Sequence, residues 1–334
     1  MTPLVSILIP AHNAEAWIAD TIQSALAQTW PGKEIIVVDD GSKDQTRSVA
    51  NQFASRGVSI VTQTNQGAAA ARNKAFSLCQ GDYVQWLDAD DLLASDKIKK
   101  QMEALDRWGT KRTLFSAAWG RFIYRPSKAS FAPTPLWCDL SPVEWLLRKM
   151  GQNIFMQTGV WLVSRELTEA AGPWDTRLLA DDDGEYFSRV LLASDGTRFI
   201  PEAKVFYRLS DLNLSLSYIG RSNKKLDAHF LSMKLQIGYL RSLEDSARTR
   251  AVCLEYLNSL LIYFYPERLD IVRQMEQLAS TLGGRLAPPR LSWKYAWIQK
   301  TLGWTAAKRT QLFYNQYKSS ALRSWDKLLF RLKI

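Results

Sequence analysis

Two acidic runs carry most of the chemistry open to this chain. Asp88-Ala89-Asp90-Asp91 closes the apolar stretch Tyr83–Asp88. Alternating carboxylates there can aim oxygens at one hard cation, which would bridge phosphates and neutralise a departing diphosphate. A plain helix start, where the macrodipole favours acids, also fits them. The second run is Asp181-Asp182-Asp183. Three adjacent acids buried together raise one another's pKa, which suits a proton acceptor, whereas exposed they would only begin a solvated helix. Asp39 closes a further apolar stretch, Glu34–Asp39. In open parallel sheets ligands bind beyond such strand ends. With 2 histidines (His12, His229) and 3 scattered cysteines (Cys79, Cys138, Cys253), imidazole-rich and thiolate sites are excluded. Any metal must be carboxylate-held Mg²⁺ or Mn²⁺.

These acids need a scaffold that alternates strands and helices. Leu4–Pro10, Glu34–Asp39, Val58–Thr62 and Tyr83–Asp88 are predicted as strands. Helices are predicted from an Asn13 cap to Gln28, over Asp44–Ala54, over Ala68–Leu78 and over Lys97–Trp108. Such alternation predicts a mostly parallel sheet flanked by helices. Thr113–Tyr124, Gln157–Ser164 and Thr197–Tyr207 read as strands, and Arg165–Ala171 and Glu185–Ser194 as helices. Ser141-Pro142-Val143-Glu144 fits a capping box with proline at the first helical position. From Asn223 the pattern is helical, with breaks at Pro266, Gly283-Gly284 and Pro288-Pro289.

Four linked motifs give the scaffold a family. At Pro10-Ala11-His12-Asn13-Ala14-Glu15, at Asp39-Asp40-Gly41-Ser42-Lys43-Asp44-Gln45-Thr46, at Asn65-Gln66-Gly67 with Ala71-Arg72-Asn73, and at Asp88-Ala89-Asp90-Asp91, residues 4–210 resemble the family 2 glycosyltransferases. The resemblance implies a GT-A type, Rossmann-like α/β mixed sheet flanked by helices, followed here by an all-helical extension. It implies an inverting, metal-dependent transfer of sugar from a nucleotide-sugar donor, UDP by resemblance, to a hydroxyl acceptor. By the same resemblance Pro10, Ala11, His12, Asn13, Glu15, Asp39 and Asp40 hold the nucleotide, and Asn65, Gly67 and Arg72 line the donor pocket. Asp88 and Asp90 match the DXD acids, the first on the donor with Ala89 beside it, the second on the metal. The family often has Tyr where this chain has His12. Asp182-Asp183 matches its acidic pair one turn before a helix ending in arginine, here Arg189, with Asp183 as base and Asp182 the rival. Gly172-Pro173-Trp174-Asp175 resembles the family as well. Gln157, Thr158 and Trp161 are candidate acceptor contacts, although Trp161 equally suits the core.

The 334 residues divide into an expected catalytic domain (1–215, with a donor half 1–110 and an acceptor half 111–215), a helical region (216–284) and a tail (285–334). The net charge of +10 lies wholly in that tail, which carries eleven Lys/Arg against Asp326 alone. Tyr314, Tyr317, Ala321, Trp325, Leu328 and Leu332 recur there at helical spacing beside Arg323, Lys327 and Arg331. Basic helices with an aromatic face lie in anionic membrane interfaces, although packing on the body also fits the pattern. No nucleic-acid module is present. The N-terminal apolar run ends at Pro10, too short to span a bilayer or serve as a leader. The expectation is a cytoplasmic, non-processive enzyme at the inner membrane face, with a glycan or lipid-linked acceptor, acting in cell-surface polysaccharide synthesis. A nucleotide-sugar binding protein without catalysis is the alternative, and the sequence leaves the oligomeric state open.

Overall fold

The computed structural model describes residues 2–108, 110–209, 222–289 and 291–332. The expected boundary at 215/216 lies outside the described residues. In chain order the first half runs β1 (Val5–Ala11), α1 (Ile18–Leu26), β2 (Lys33–Asp40), α2 (Thr46–Asn51), β3 (Val58–Gln63), α3 (Ala68–Leu78), β4 (Tyr83–Trp86), β5 (Leu92–Leu93) and α4 (Lys97–Trp108). There follow β6 (Thr113–Phe122), α5 (Pro142–Gly151), β7 (Val163–Ser164), α6 (Arg165–Ala171), α7 (Asp182–Ala193) and β8 (Gly196–Arg208). Helices α8 (Asn223–Leu243), α9 (Ala247–Phe264), α10 (Leu269–Thr281) and α11 (Ala296–Arg331) complete the chain.

The main sheet has order β3-β2-β1-β4-β7, with β1–β4 parallel and β7 antiparallel to β4. A second sheet, β5-β8-β6, pairs β6 and β8 in parallel across a register shift at Ala117/Ala118. β1 is buried along its whole length, which explains why it reads as a continuous apolar run rather than an alternating one. Its C-terminal end, with those of β2 and β4, opens on one side of the sheet. Beneath that edge lies an aromatic core. Trp174 stacks on Tyr186 at 3.9 Å, and Trp86 meets both rings edge-on at 5.3 and 5.9 Å. Each such pair adds about 0.5–1.5 kcal/mol beyond area burial. Together they fasten α7 to β4, and the acidic runs lie at the start of the one and just past the end of the other.

Three local expectations differ from what is observed. Asn13 does not cap a helix: its φ is +49°, and α1 begins at Ile18. Thr46 Oγ1 accepts from Ala14 N at 2.6 Å and Asn13 Oδ1 from Lys43 N at 2.9 Å, so this loop is held to the β2–α2 loop instead. Within Gln157–Ser164 only Val163–Ser164 is strand. Gln85 and Gln101 side chains donate to Gly159 O (2.8 Å) and Val160 O (3.0 Å), replacing a neighbouring strand. Ser141 caps α5 by accepting from Glu144 N, but the Glu144 carboxylate pairs with Arg248 at 2.7 Å, so the capping box is half formed. The C-terminal breaks at Pro266, Gly283-Gly284 and Pro288-Pro289 fall where the sequence places them, but residues 244–246 also separate α8 from α9, and Gly303 at φ +82° interrupts α11. α9 ends before a cis Tyr265–Pro266 bond, and α10 before Gly283 at φ +82°.

Candidate active site

The β1 and β2 ends build one wall. His12 Nδ1 lies 2.8 Å from Asp40 O, and the Asn65 and Asn13 amides reach the same imidazole at 3.1 and 3.0 Å. Glu15 accepts from Gln45 N at 2.7 Å. Asp40 is buried and spent on structure: its carboxylate accepts from Gln66 N (2.9 Å), Gly67 N (2.8 Å) and Gln63 Nε2 (2.8 Å), which shapes the entry to α3. Its neighbour Asp39 takes one long bond, from Ser42 N at 3.3 Å. Its second oxygen takes none among the described residues. Both acids are buried, and of the two Asp39 is the one that keeps a carboxylate oxygen without a hydrogen bond among the described residues. Gly41 turns here at φ +65°, and a Cβ would stand 2.8 Å from Asn65 N, so only glycine lets the two loops meet.

Arg72 joins the acidic runs. From the second turn of α3 its guanidinium donates to Asp182 Oδ2 at 2.6 Å and to Asp88 Oδ1 at 2.9 Å. Its face lies 4.3 Å over the Trp174 ring. Burial opposes the charge, but attraction by Asp182 and Asp88 outweighs it and holds the group protonated. Arg72 is thus committed to two carboxylates, a role its position in a donor-pocket motif does not disclose. Asp91 is fully buried and accepts from Gln157 Nε2 and from Arg208 N at 2.7 Å. Burial, with repulsion from Asp90 and Asp88, pushes its pKa well up. Arg208 Nε also donates to Asp90 O at 2.8 Å, so the last residue of β8 fixes the backbone of the DXD run.

The second run differs residue by residue. Asp181 adopts the left-handed region at φ +55°, and its carboxylate accepts from Ser232 Oγ (2.7 Å) and Gln236 Nε2 (2.6 Å) on α8. A Cβ on Gly184 would fall 2.2 Å from Asp181 Oδ1, so a side chain there would have to displace that carboxylate. Asp182 is paired with Arg72. Asp183 receives only the Gly184 N–H, at 2.9 Å, and no Lys or Arg among the described residues pairs with it. Burial, then Asp182 and Asp181, raises its pKa to about 7. Two residues on, Glu185 is gripped by Arg189 (2.7 and 2.9 Å) and by Tyr239 of α8 (2.7 Å).

The structure therefore brings Asp88, Arg72, Asp182 and Asp183 together, with Asp90 and Asp91 one step along the chain. Gln157 faces Asp91. Thr158 is buried beside it, and Trp161 is fully buried, packed on Phe187 at 5.3 Å and Trp145 at 5.6 Å, within the core rather than on a cleft. Sequence reasoning misses Arg208 and the α8 clamp. Ser232, Gln236 and Tyr239 do recur at helical spacing along a face that also carries Met233, Ile237 and Leu240. Polar residues on such a face are a usable signal. No group of three His, Cys, Asp or Glu converges on a metal position among the described residues. The DXD run holds two carboxylates, Asp88, one oxygen of which accepts from Arg72, and Asp90, and a hard cation completed by substrate phosphates can be held by one or two.

This sheet order, with acids at the strand ends and a second acidic helix facing them, is the GT-A glycosyltransferase plan. Residues 6–160, just under half of the chain, match the model of glycosyl transferase family 2. A putative teichuronic acid biosynthesis glycosyltransferase, TuaG of Bacillus subtilis, is 45% identical over 104 residues, 30% of this chain and 41% of that protein. The Escherichia coli UDP-Glc:alpha-D-GlcNAc-diphosphoundecaprenol beta-1,3-glucosyltransferase WfaP is 40% identical over 114 residues, 34% of this chain and 44% of its own length. This chain thus spans less than half of each of these two relatives. Staphylococcus aureus TarS 1–349 in complex with UDP-GlcNAc superposes with a TM-score of 0.65 at 15% identity, over 84% of this chain and 80% of that one. At that identity the likeness shows the fold.

Proposed function

We propose that this protein is an inverting, non-processive glycosyltransferase that moves a sugar from a nucleoside diphosphate sugar to a hydroxyl acceptor. The observation that carries the reading is Asp183. It is a carboxylic acid with a pKa near 7 and no ion pair among the described residues, beside an Arg72 bridge that ends on the first DXD acid. A base poised at neutral pH is what proton removal from a hydroxyl needs. In the step proposed, the acceptor oxygen attacks the anomeric carbon and its proton passes to Asp183. The bond to the diphosphate breaks, and the nucleoside diphosphate leaves. Asp39 would bind base or ribose, and His12, Asn13 and Asn65 would frame that subsite. Asp90, with Asp88, would hold Mg²⁺ or Mn²⁺, which when bound neutralises charge on the diphosphate.

A UDP donor is favoured by the WfaP and TarS names, and an acceptor in cell-surface polysaccharide or on a lipid diphosphate by TuaG and WfaP. Residues 285–334 would contact the inner membrane face. No helix among the described residues is long and apolar enough to cross a membrane. Thermal shift with a panel of nucleotide sugars, with and without Mn²⁺, tests the reading. Stabilisation by none of them would sink it, and binding without turnover over a broad acceptor screen would favour a non-catalytic binding protein. Asp90→Ala is expected to abolish the Mn²⁺-dependent part of donor binding, about tenfold or more, while leaving the melting temperature without ligand unchanged.

A further inference from the structure

From Leu312 on, helix α11 leaves most of its large apolar residues exposed, Phe313, Leu322 and Phe330 among them, whereas Ile298 and Ala307 nearer its start are buried. Tyr314, Tyr317, Ala321, Trp325, Leu328 and Leu332 recur at the helical period, and the five larger ones are 47–67% exposed. The opposite row, Lys308, Ser319, Arg323 and Asp326, faces the body. A helix that merely packs shows the reverse arrangement. Both ends of the body-facing row are anchored. Lys308 Nζ donates to Glu267 and to Tyr265 O, each at 2.7 Å, at the α9–α10 turn. Asp326 accepts from Tyr124 N at 2.9 Å and from Arg125 at 2.7 and 2.8 Å, just beyond β6. From there a packed row leads to the DXD run. Tyr124 lies 5.5 Å from Trp17, Arg208 4.2 Å over Trp17, and Arg208 holds Asp90 O. The far end of α11 is therefore seated at the rim of the donor cleft.

We propose that α11 docks the protein on an anionic lipid bilayer, its outward stripe in the interface and the Asp326 latch holding the cleft rim beside that surface. What the rim encloses rests on the transferase reading above; the proposal adds the surface from which the acceptor arrives. Charge selects the occupant. α11 has seven Lys/Arg, and its only acid, Asp326, is turned inward. Lys318, Lys327 and Arg331 flank the stripe, so it suits phosphate headgroups, while a second copy would bring cations against cations.

Flotation of the full chain with vesicles tests this. Binding to vesicles with about 30% phosphatidylglycerol is expected to exceed binding to pure phosphatidylcholine by about tenfold or more and to collapse in about 0.5 M NaCl. A Tyr317→Ser/Trp325→Ser/Leu328→Ser variant is expected to lose that binding yet keep its thermal shift with UDP. Hydrogen exchange is expected to slow on the anionic vesicles over both 314–332 and 122–126. Four results would overturn the proposal: no preference for the anionic vesicles, a variant that binds as well as wild type, protection confined to 314–332, or a wild-type dimer that the variant dissolves. Flotation without any UDP shift would instead count against the transferase reading alone.

Discussion

Asp183→Asn is expected to bind donor as wild type does and to transfer sugar about 10³-fold more slowly, within the 10²–10⁴ that a positioned general base contributes. The substitution keeps size and the Gly184 hydrogen bond but removes the proton acceptor. Steady-state kinetics alongside donor binding separate the two effects: kcat should fall and the binding constant stay. Asp182→Asn sharpens the comparison, since Asp182 is held by Arg72 and its loss should weaken donor handling as well. The pH profile follows from the same residue. The base works as a carboxylate, and burial with Asp182 and Asp181 beside it raises its pKa to about 7. Wild-type kcat/KM should therefore rise from pH 6 to 8 and level off, and a profile flat across about pH 7 would remove Asp183 from the role.

Arg72→Ala is expected to cost about 3 kcal/mol of stability and to lose donor binding altogether. Breaking a buried ion pair typically costs about 3–5 kcal/mol, because a charge is left without its partner. The low end applies since the Asp88 side chain is 30% exposed. Two acids would remain face to face, so one would take up a proton and turn away from the cleft. Chemical denaturation measures the first effect and a nucleotide thermal shift the second. Arg72→Lys should restore charge but not geometry. An ammonium is a point charge, whereas the guanidinium reaches Asp88 and Asp182 from two nitrogens while stacking on Trp174. Donor binding close to wild type in the lysine variant would show the bridge to be dispensable.

Much of the fold was legible because buried parallel strands leave an unbroken apolar signature, as in Val5–Ala11, and because α3 and α4 begin and end where propensity and spacing place them. The loops were less legible. Asn13 has a cap's chemistry, yet contacts with Lys43, some thirty residues away, decide its conformation. The acids were found as types, while their division of labour was not. Asp39 and Asp40 are neighbours in sequence, but only Asp40 meets three donors. Asp181, Asp182 and Asp183 differ because α8 takes the first and α3 the second, and nothing local to the run announces either partner. The tail pattern was read in full, but which face it turns outward depends on two anchors far apart in the chain.

The hold that α8 keeps on Asp181 and Glu185 bears on protein engineering. The region matching the family ends at residue 160, before the acid helix begins at Asp182. A chimera joined there would inherit a donor cleft and import its proton acceptor from the other parent. A truncation ahead of residue 222 would keep Asp183 but free its helix from the brace that sets its angle. Portable donor specificity and non-portable turnover are therefore separable along this chain, with the seam between α3 and α7 spanned by one arginine.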